Sequence, residues 1–142
     1  MRGIKFRGKK KDGQWMYGNL IDCTCFRSIL DIVAASKCPI DILGAEIIRG
    51  KVDDSTIGQY VGQKDSDGKE IYEGDILRTK DRFELVMVVT WNEKFSQFGF
   101  VTRELWKERS YSFAWRFFSD IPSSKMEIIG NIYDNPNILE ER

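Results

Sequence analysis

The sequence predicts an all-β protein, a small, partly open barrel of about seven to eight mainly antiparallel strands with embellishing loops. Three observations predict it. Short runs alternate polar and apolar residues and are rich in β-branched and aromatic side chains. Gly, Asp and Asn interrupt these runs at close intervals, and no long stretch of helical periodicity separates them, as a βαβ fold would require.

The elements follow in order. Ile4-Lys5-Phe6-Arg7 alternates and leads to Lys11-Asp12-Gly13, whose Asp-Gly suits the positive φ of a hairpin turn. The run of residues 15–21 then returns as the second strand of that hairpin. The stretch of residues 23–37 fits two patterns. Phe26, Ile29, Leu30 and Val33 fall at helical spacing, while Ile32-Val33 suits a strand; strand and turn is the preferred reading. Asp65-Ser66-Asp67-Gly68 is a second Asp-Gly turn, between residues 57–61 and Ile71-Tyr72. Residues 83–91 form the longest strand-like run, and Phe98-Gly99-Phe100-Val101 follows a short polar turn. Residues 111–117 alternate almost without a break, and residues 126–133 close the series before Asp134-Asn135-Pro136. Residues 137–142 add a terminal helical turn, with Pro136 placed ahead of it.

A chain of 142 residues with 42% apolar residues is the size of one domain and can bury a core without disulfides or metal. No segment approaches the roughly 20 apolar residues needed to span a bilayer, and the N-terminus lacks an apolar signal run. A cytosolic location without membrane contact is therefore expected. The 3 cysteines, Cys23, Cys25 and Cys38, read as reduced thiols. The 22 basic and 22 acidic residues cancel, so no overall positive field exists to hold duplex DNA. Charge is uneven all the same, with +5 over residues 1–13 and −5 over residues 53–75. These segments, together with open β edges, are a basis for a homo-oligomer.

Histidine is absent, which removes the commonest general base, the usual partner of a catalytic Ser or Cys, and the commonest zinc ligand. Three thiols, two of them in a tight Cys-x-Cys arrangement, fall short of a four-ligand structural zinc site. Asp65 to Glu70 has the look of a calcium loop, but with Gly68 at its sixth position Gln63 and Gly74 occupy its end-ligand positions. A turn whose Asp side chains bond the local backbone is the better reading. Glu70, Glu73 and Asp75 could hold magnesium for phosphate chemistry, although on a regular strand Glu70 points away from the other two. The phosphate-binding, dinucleotide-binding and nucleophile-elbow glycine motifs do not occur. No cofactor is expected.

Two stretches remain. Trp106-Lys107-Glu108-Arg109, Tyr111, Phe113 and Trp115-Arg116-Phe117 interleave aromatics with bases in a region, residues 78–118, that nets +3. Residues 57–76 are the other. With Ile4-Lys5-Phe6-Arg7, Trp15-Met16-Tyr17-Gly18 and residues 127–136, this segment resembles the YopX-type family of phage and prophage proteins. That resemblance implies an all-β, barrel-like fold with SH3-like features and a phage or prophage origin in a bacterial cytosol. It implies no activity and brings no catalytic residues.

The leading expectation is an accessory protein without enzymatic activity that binds a host or phage protein. Its contact residues are taken as Gln59, Tyr60, Lys64, Asp65, Asp67, Tyr72, Glu73 and Asp75, because turn geometry accounts for the glycines of this segment but not for its aromatic and charged side chains. The second expectation is single-stranded nucleic-acid binding through the basic N-terminus and residues 103–117. The third is a metal-dependent hydrolase built on Glu70, Glu73 and Asp75.

Overall fold

The computed structural model describes residues 3–23, 26–31, 48–108 and 115–141. These residues form nine strands, two short α-helices and one 3-10 turn, an all-β protein. All their registered strand pairs are antiparallel. The chain forms two compact units, Met1–Tyr60 and Val61–Arg142.

In the first unit, β1 (Phe6–Lys10) and β2 (Trp15–Cys23) form a hairpin. Its turn is the expected Asp-Gly: Gly13 has φ +87°, its N–H donates to Lys10 O at 2.9 Å, and Asp12 Oδ1 accepts from the Gln14 N–H. β2 then pairs with β3 (Phe26–Asp31), which confirms strand at the centre of residues 23–37; residues 32–37, Cys25 and Cys38 lie outside the described residues. β4 (Ile48–Lys64) pairs with β3 near its start and with β1 further along, so the strands curl round into a small, partly open barrel. A register shift between Arg7 and Lys9 lets β1 follow that curve. Thr56 secures the irregularity, its hydroxyl accepting from the Lys9 N–H at 2.8 Å and donating to Asp53 O at 2.7 Å. Gly8 sits so close to Val52 that a Cβ there would lie 2.8 Å from a Val52 methyl.

The second unit begins with the end of β4, which is followed by β5 (Glu70–Tyr72) after the second Asp-Gly turn, with Gly68 at φ +80°. A four-stranded sheet runs in the order β8 (Gln97–Thr102), β7 (Val86–Asn92), β6 (Asp75–Thr79), β9 (Met126–Asn131). Neighbouring residues of β7 are buried on both faces. Met87 and Val89 join Ile71, Leu77, Phe100 and Met126 on one side, and Val88 joins Ile76, Val101 and Leu139 on the other. This is why Val86-Met87-Val88-Val89 is a continuous apolar run rather than an alternating one. The second side is covered partly by Trp106 of α1 (Arg103–Glu108) and by Ile138 and Leu139 of α2 (Asn137–Glu140), the terminal helical turn that follows Pro136. Arg78 of β6 and Glu127 of β9 stand opposite each other in register and form an ion pair. The pair holds the Glu127 carboxyl below its usual range and raises the Arg78 guanidinium.

Three sequence expectations are corrected here, and one element that the sequence did not signal is added. The run of residues 83–91 is not a single strand, nor the longest: β7 begins at Val86, and β4, at 17 residues, is the longest described. Asp81 accepts from the Phe83 N–H and Thr79 Oγ1 from the Leu85 N–H, so side chains take the bonds that would otherwise extend the ladder. Of residues 111–117, the described part, 115–117, makes an isolated bridge between Arg116 and Phe100 before Phe117 N–H turns to Asp120 Oδ2. β9 ends at Asn131, whose side-chain oxygen accepts from Tyr133 and Asp134 N–H groups and starts a turn. Finally, Arg103–Glu108 is helical, which the basic and aromatic composition of that stretch does not signal.

Candidate functional site

The sequence-derived contact residues divide between the two units. In the first, Gln59 lies opposite Phe6 in the β1–β4 ladder, and the Tyr60 N–H donates to Lys5 O at 2.8 Å. Both side chains are half-buried, with Lys5 Nζ 5.9 Å from the centroid of the Tyr60 ring.

In the second unit, three of the side chains face inward. Asp65 is 5% exposed, and its carboxylate holds the turn together: Oδ1 accepts from the Asp67 and Lys69 N–H groups at 2.9 Å each, and Oδ2 accepts from Ile128 N–H at 3.1 Å. Burial pushes the Asp65 carboxyl up, but the N–H donors of Ile128, Lys69 and Asp67 and the Lys69 charge outweigh it, leaving the group below its usual range. This is the local backbone bonding expected of the Asp-rich turn. Tyr72 is buried, its hydroxyl donating to Glu70 Oε2 at 2.9 Å and its N–H to Asp75 Oδ2 at 2.8 Å. Asp75, 1% exposed, thereby closes the Glu73-Gly74 turn between β5 and β6. Glu73 is half-buried, while Lys64 and Asp67 are exposed, Asp67 lying 3.5 Å from Lys80 Nζ. Among the described residues, no three Asp, Glu or Cys side chains gather where they could hold a metal ion.

Two exposed aromatic pairs of this unit lie elsewhere, at the β7–β8 hairpin. Trp91 and Phe95 are 41% and 55% exposed. Trp91 stands opposite Phe98 in register, the rings meeting edge to face at 4.9 Å and 70°. Phe95 meets Phe117 at 5.6 Å and 87°, and Lys94 Nζ lies 5.6 Å from the Phe95 centroid. The connecting turn is fixed by Asn92 Oδ1, which accepts from the Phe95 N–H, and by Ser96 in the left-handed region at φ +50°. Exposed Glu93 and Asp120 balance exposed Lys94 and Arg116 around these rings. Sequence reasoning singled out Arg116 and Phe117 but took Trp91 only as the end of one strand-like run and Phe98 as the start of the next, and passed over Phe95. The available signal was the aromatic spacing on either side of the polar turn Asn92-Glu93-Lys94. Conversely, Trp106 and Trp115 of the basic aromatic region pack against the second core face.

Residues 5–140 match the family described as YopX protein. The chain belongs to the YopX family. The resemblance carried by residues 57–76 and by both ends of the sequence thus extends over nearly all of it. This YopX-family chain is also similar to a solved structure, "Crystal structure of protein EF1440 from Enterococcus faecalis", with a TM-score of 0.56 at 20% identity, over 98% of this chain and 99% of that one. At that identity the likeness establishes a shared fold and nothing further. No curated protein matches the chain. No helix among the described residues is long and apolar enough to cross a membrane.

Proposed function

We propose that this YopX-family protein is a non-enzymatic binding module of phage or prophage origin. It engages a host or phage protein in the bacterial cytosol through the aromatic end of the β7–β8 hairpin. The observation that carries this reading is the exposure of Trp91 and Phe95 in fixed edge-to-face pairs with Phe98 and Phe117. Large aromatics held rigidly in water lose little conformational freedom on binding and bring much apolar area to a contact, which is why Trp and other aromatics anchor protein interfaces. The balanced charge around the rings favours a protein over a nucleic acid here, since a nucleic acid requires an excess of cations. The absence of histidine supports binding over catalysis. Lys64 and Asp67 are the members of the turn-region set with exposed side chains and would serve as secondary contacts at most.

The test is affinity capture from a prophage-bearing lysate, with nuclease-treated and untreated arms, comparing wild type with a Trp91→Ser, Phe95→Ser double variant of unchanged melting temperature. Wild type is expected to retain a protein partner through nuclease treatment, and the variant to lose it by about 30-fold or more, as for an aromatic hot spot. Equal capture by both proteins would sink the proposed contact.

A further inference from the structure

We infer that the outer edge of β8 takes one more strand at Phe98, so that the protein partner docks as an extended segment whose main chain continues the four-stranded sheet. This rests on the protein contact proposed above and names the form in which that partner arrives.

β8 is an edge strand of its sheet, with β7 on its inner side. On the outer side the Phe100 N–H donates to Arg116 O at 2.9 Å, and Phe100 O accepts from the Arg116 N–H at 3.1 Å. Both backbone groups of Phe100 therefore point away from β7. The N–H and C=O of one strand residue share a side, and the side alternates from residue to residue. β8 runs opposite β7 from Gln97 to Thr102 without a register shift, so Phe98, two residues from Phe100, also turns its N–H and C=O outward. The segment that would meet them folds away instead. The Phe117 N–H donates to Asp120 Oδ2, and Phe117 O accepts from the Asp120 N–H at 2.8 Å, a turn that takes the chain off the edge after the single bridge at Arg116. Among the described residues, no group is bonded to the Phe98 N–H or C=O on this side.

A donor and an acceptor side by side on a sheet edge are matched by the backbone of another extended segment. The structure shows this edge accepting one: Arg116 pairs antiparallel with Phe100 through the same two bonds that Phe98 leaves open. The side chains say what such a segment carries. Phe98 stands opposite Trp91 in register, with the two rings edge to face at 4.9 Å, and it shares a face with Phe100. A residue paired with Phe98 from outside sets its own side chain on that face, roughly 5 Å from the Phe98 Cβ, and extends the row of Trp91 and Phe98. The segment recognised is therefore extended and apolar at the position opposite Phe98. Main-chain pairing fixes its direction and register, and the rings supply the anchor.

The test is an NMR titration of isotope-labelled full-length protein with a lysine-flanked peptide in which valine and threonine alternate around a central phenylalanine. A copy of the peptide N-methylated at its central residues keeps the side chains and loses the main-chain donors. Main-chain pairing carries little sequence selectivity, so a generic strand former is a fair probe. The parent peptide is expected to move the Phe98 amide proton downfield and saturably, with smaller changes at Gln97 and Gly99, whose amides face β7. The N-methylated copy should bind about tenfold more weakly. Phe98→Ala and Phe98→Pro, each folded by thermal melt, separate ring from backbone. Proline removes an outward N–H that carries no bond in the sheet, so it should bind the parent peptide about fivefold more weakly than alanine does. An unmoved Phe98 amide, or equal binding of the two peptides, would overturn the inference. So would a Phe98 amide that shifts with protein concentration alone, because the edge would then hold a second copy of the chain. Loss of partner capture by Trp91→Ser, Phe95→Ser with an unmoved Phe98 amide would keep the aromatic contact and sink strand addition; retained capture with a shifted amide would do the reverse.

Discussion

Asp65 and Ile128 are joined across 63 residues of sequence by one hydrogen bond of 3.1 Å, from the Ile128 N–H to Asp65 Oδ2. Ile128 belongs to β9, an edge strand of its sheet, and the same edge offers Met126 O to the Ser66 N–H at 2.8 Å. The turn that contains Asp65 therefore covers an edge that would otherwise present unpaired backbone groups.

An Asp65→Asn variant replaces a carboxylate that only accepts with an amide that must turn its NH2 group toward at least one backbone N–H. The loss of charge-assisted bonds is expected to cost about 1.5–3 kcal/mol in urea unfolding. The pH dependence has a definite sign. The Asp65 carboxyl is depressed in the folded state, so its contribution is fully present above its unfolded value near about pH 4 and is lost as pH falls through the lower folded value. Wild type should thus lose more stability than Asp65→Asn over that acid range; parallel profiles would show that the carboxylate charge does not stabilise the turn.

Two glycines of the same region separate backbone strain from crowding. Gly68 has φ +80° and open space where a Cβ would be, whereas Gly74 has φ +89° and would place a Cβ 3.1 Å from the Tyr133 ring. Gly68→Ala is expected to cost about 1–2 kcal/mol, the left-handed penalty alone. Gly74→Ala should cost at least about 1 kcal/mol more through overpacking. Denaturant midpoints at constant m-value provide the comparison.

What was legible in the sequence was local. The turns at Asp12-Gly13 and Asp67-Gly68 could be read because positive φ is a property of the residue itself, and the strands beside them follow from alternation. The limits were non-local. Phe83 and Leu85 have strand-forming side chains, yet Thr79 and Asp81 bond the backbone there and hold them in a loop. Trp106 reads as part of a basic aromatic stretch until a sheet face is present for it to cover. Asp65, Tyr72 and Asp75 read as surface groups because the donors and acceptors that fold them inward are seen only once the turns close and β9 arrives. The exposure of Trp91 and Phe95 depends on where the elements covering β7 stop, which no local pattern encodes.

Gly99 marks a close approach of two backbones. A Cβ at this position would sit 2.5 Å from Arg116 O, the atom that accepts from Phe100 N–H. A backbone oxygen in a two-bond bridge cannot move aside without lengthening its own bonds. Gly99→Ala is therefore expected to cost about 2–3 kcal/mol and to speed hydrogen exchange at the Phe100 and Arg116 amides. Unchanged protection at those two amides would mean that the bridge does not hold this segment against β8.

Phe100 and Trp91 lie in the same pair of strands and have opposite environments. Phe100 is fully buried and meets Phe118 edge to face at 5.3 Å, so Phe100→Ala should remove about 3–5 kcal/mol, a large part of the stability of a domain this size. Trp91 is 41% exposed and its pairing with Phe98 is worth about 0.5–1.5 kcal/mol beyond buried area, so Trp91→Ala should cost far less. Parallel urea titrations of the two variants measure the difference. If Trp91→Ala is as destabilising as Phe100→Ala, the ring is required by the fold, and its exposure is no argument for a binding surface. If it is nearly neutral, the fold does not account for a tryptophan at this position, as the proposed contact requires.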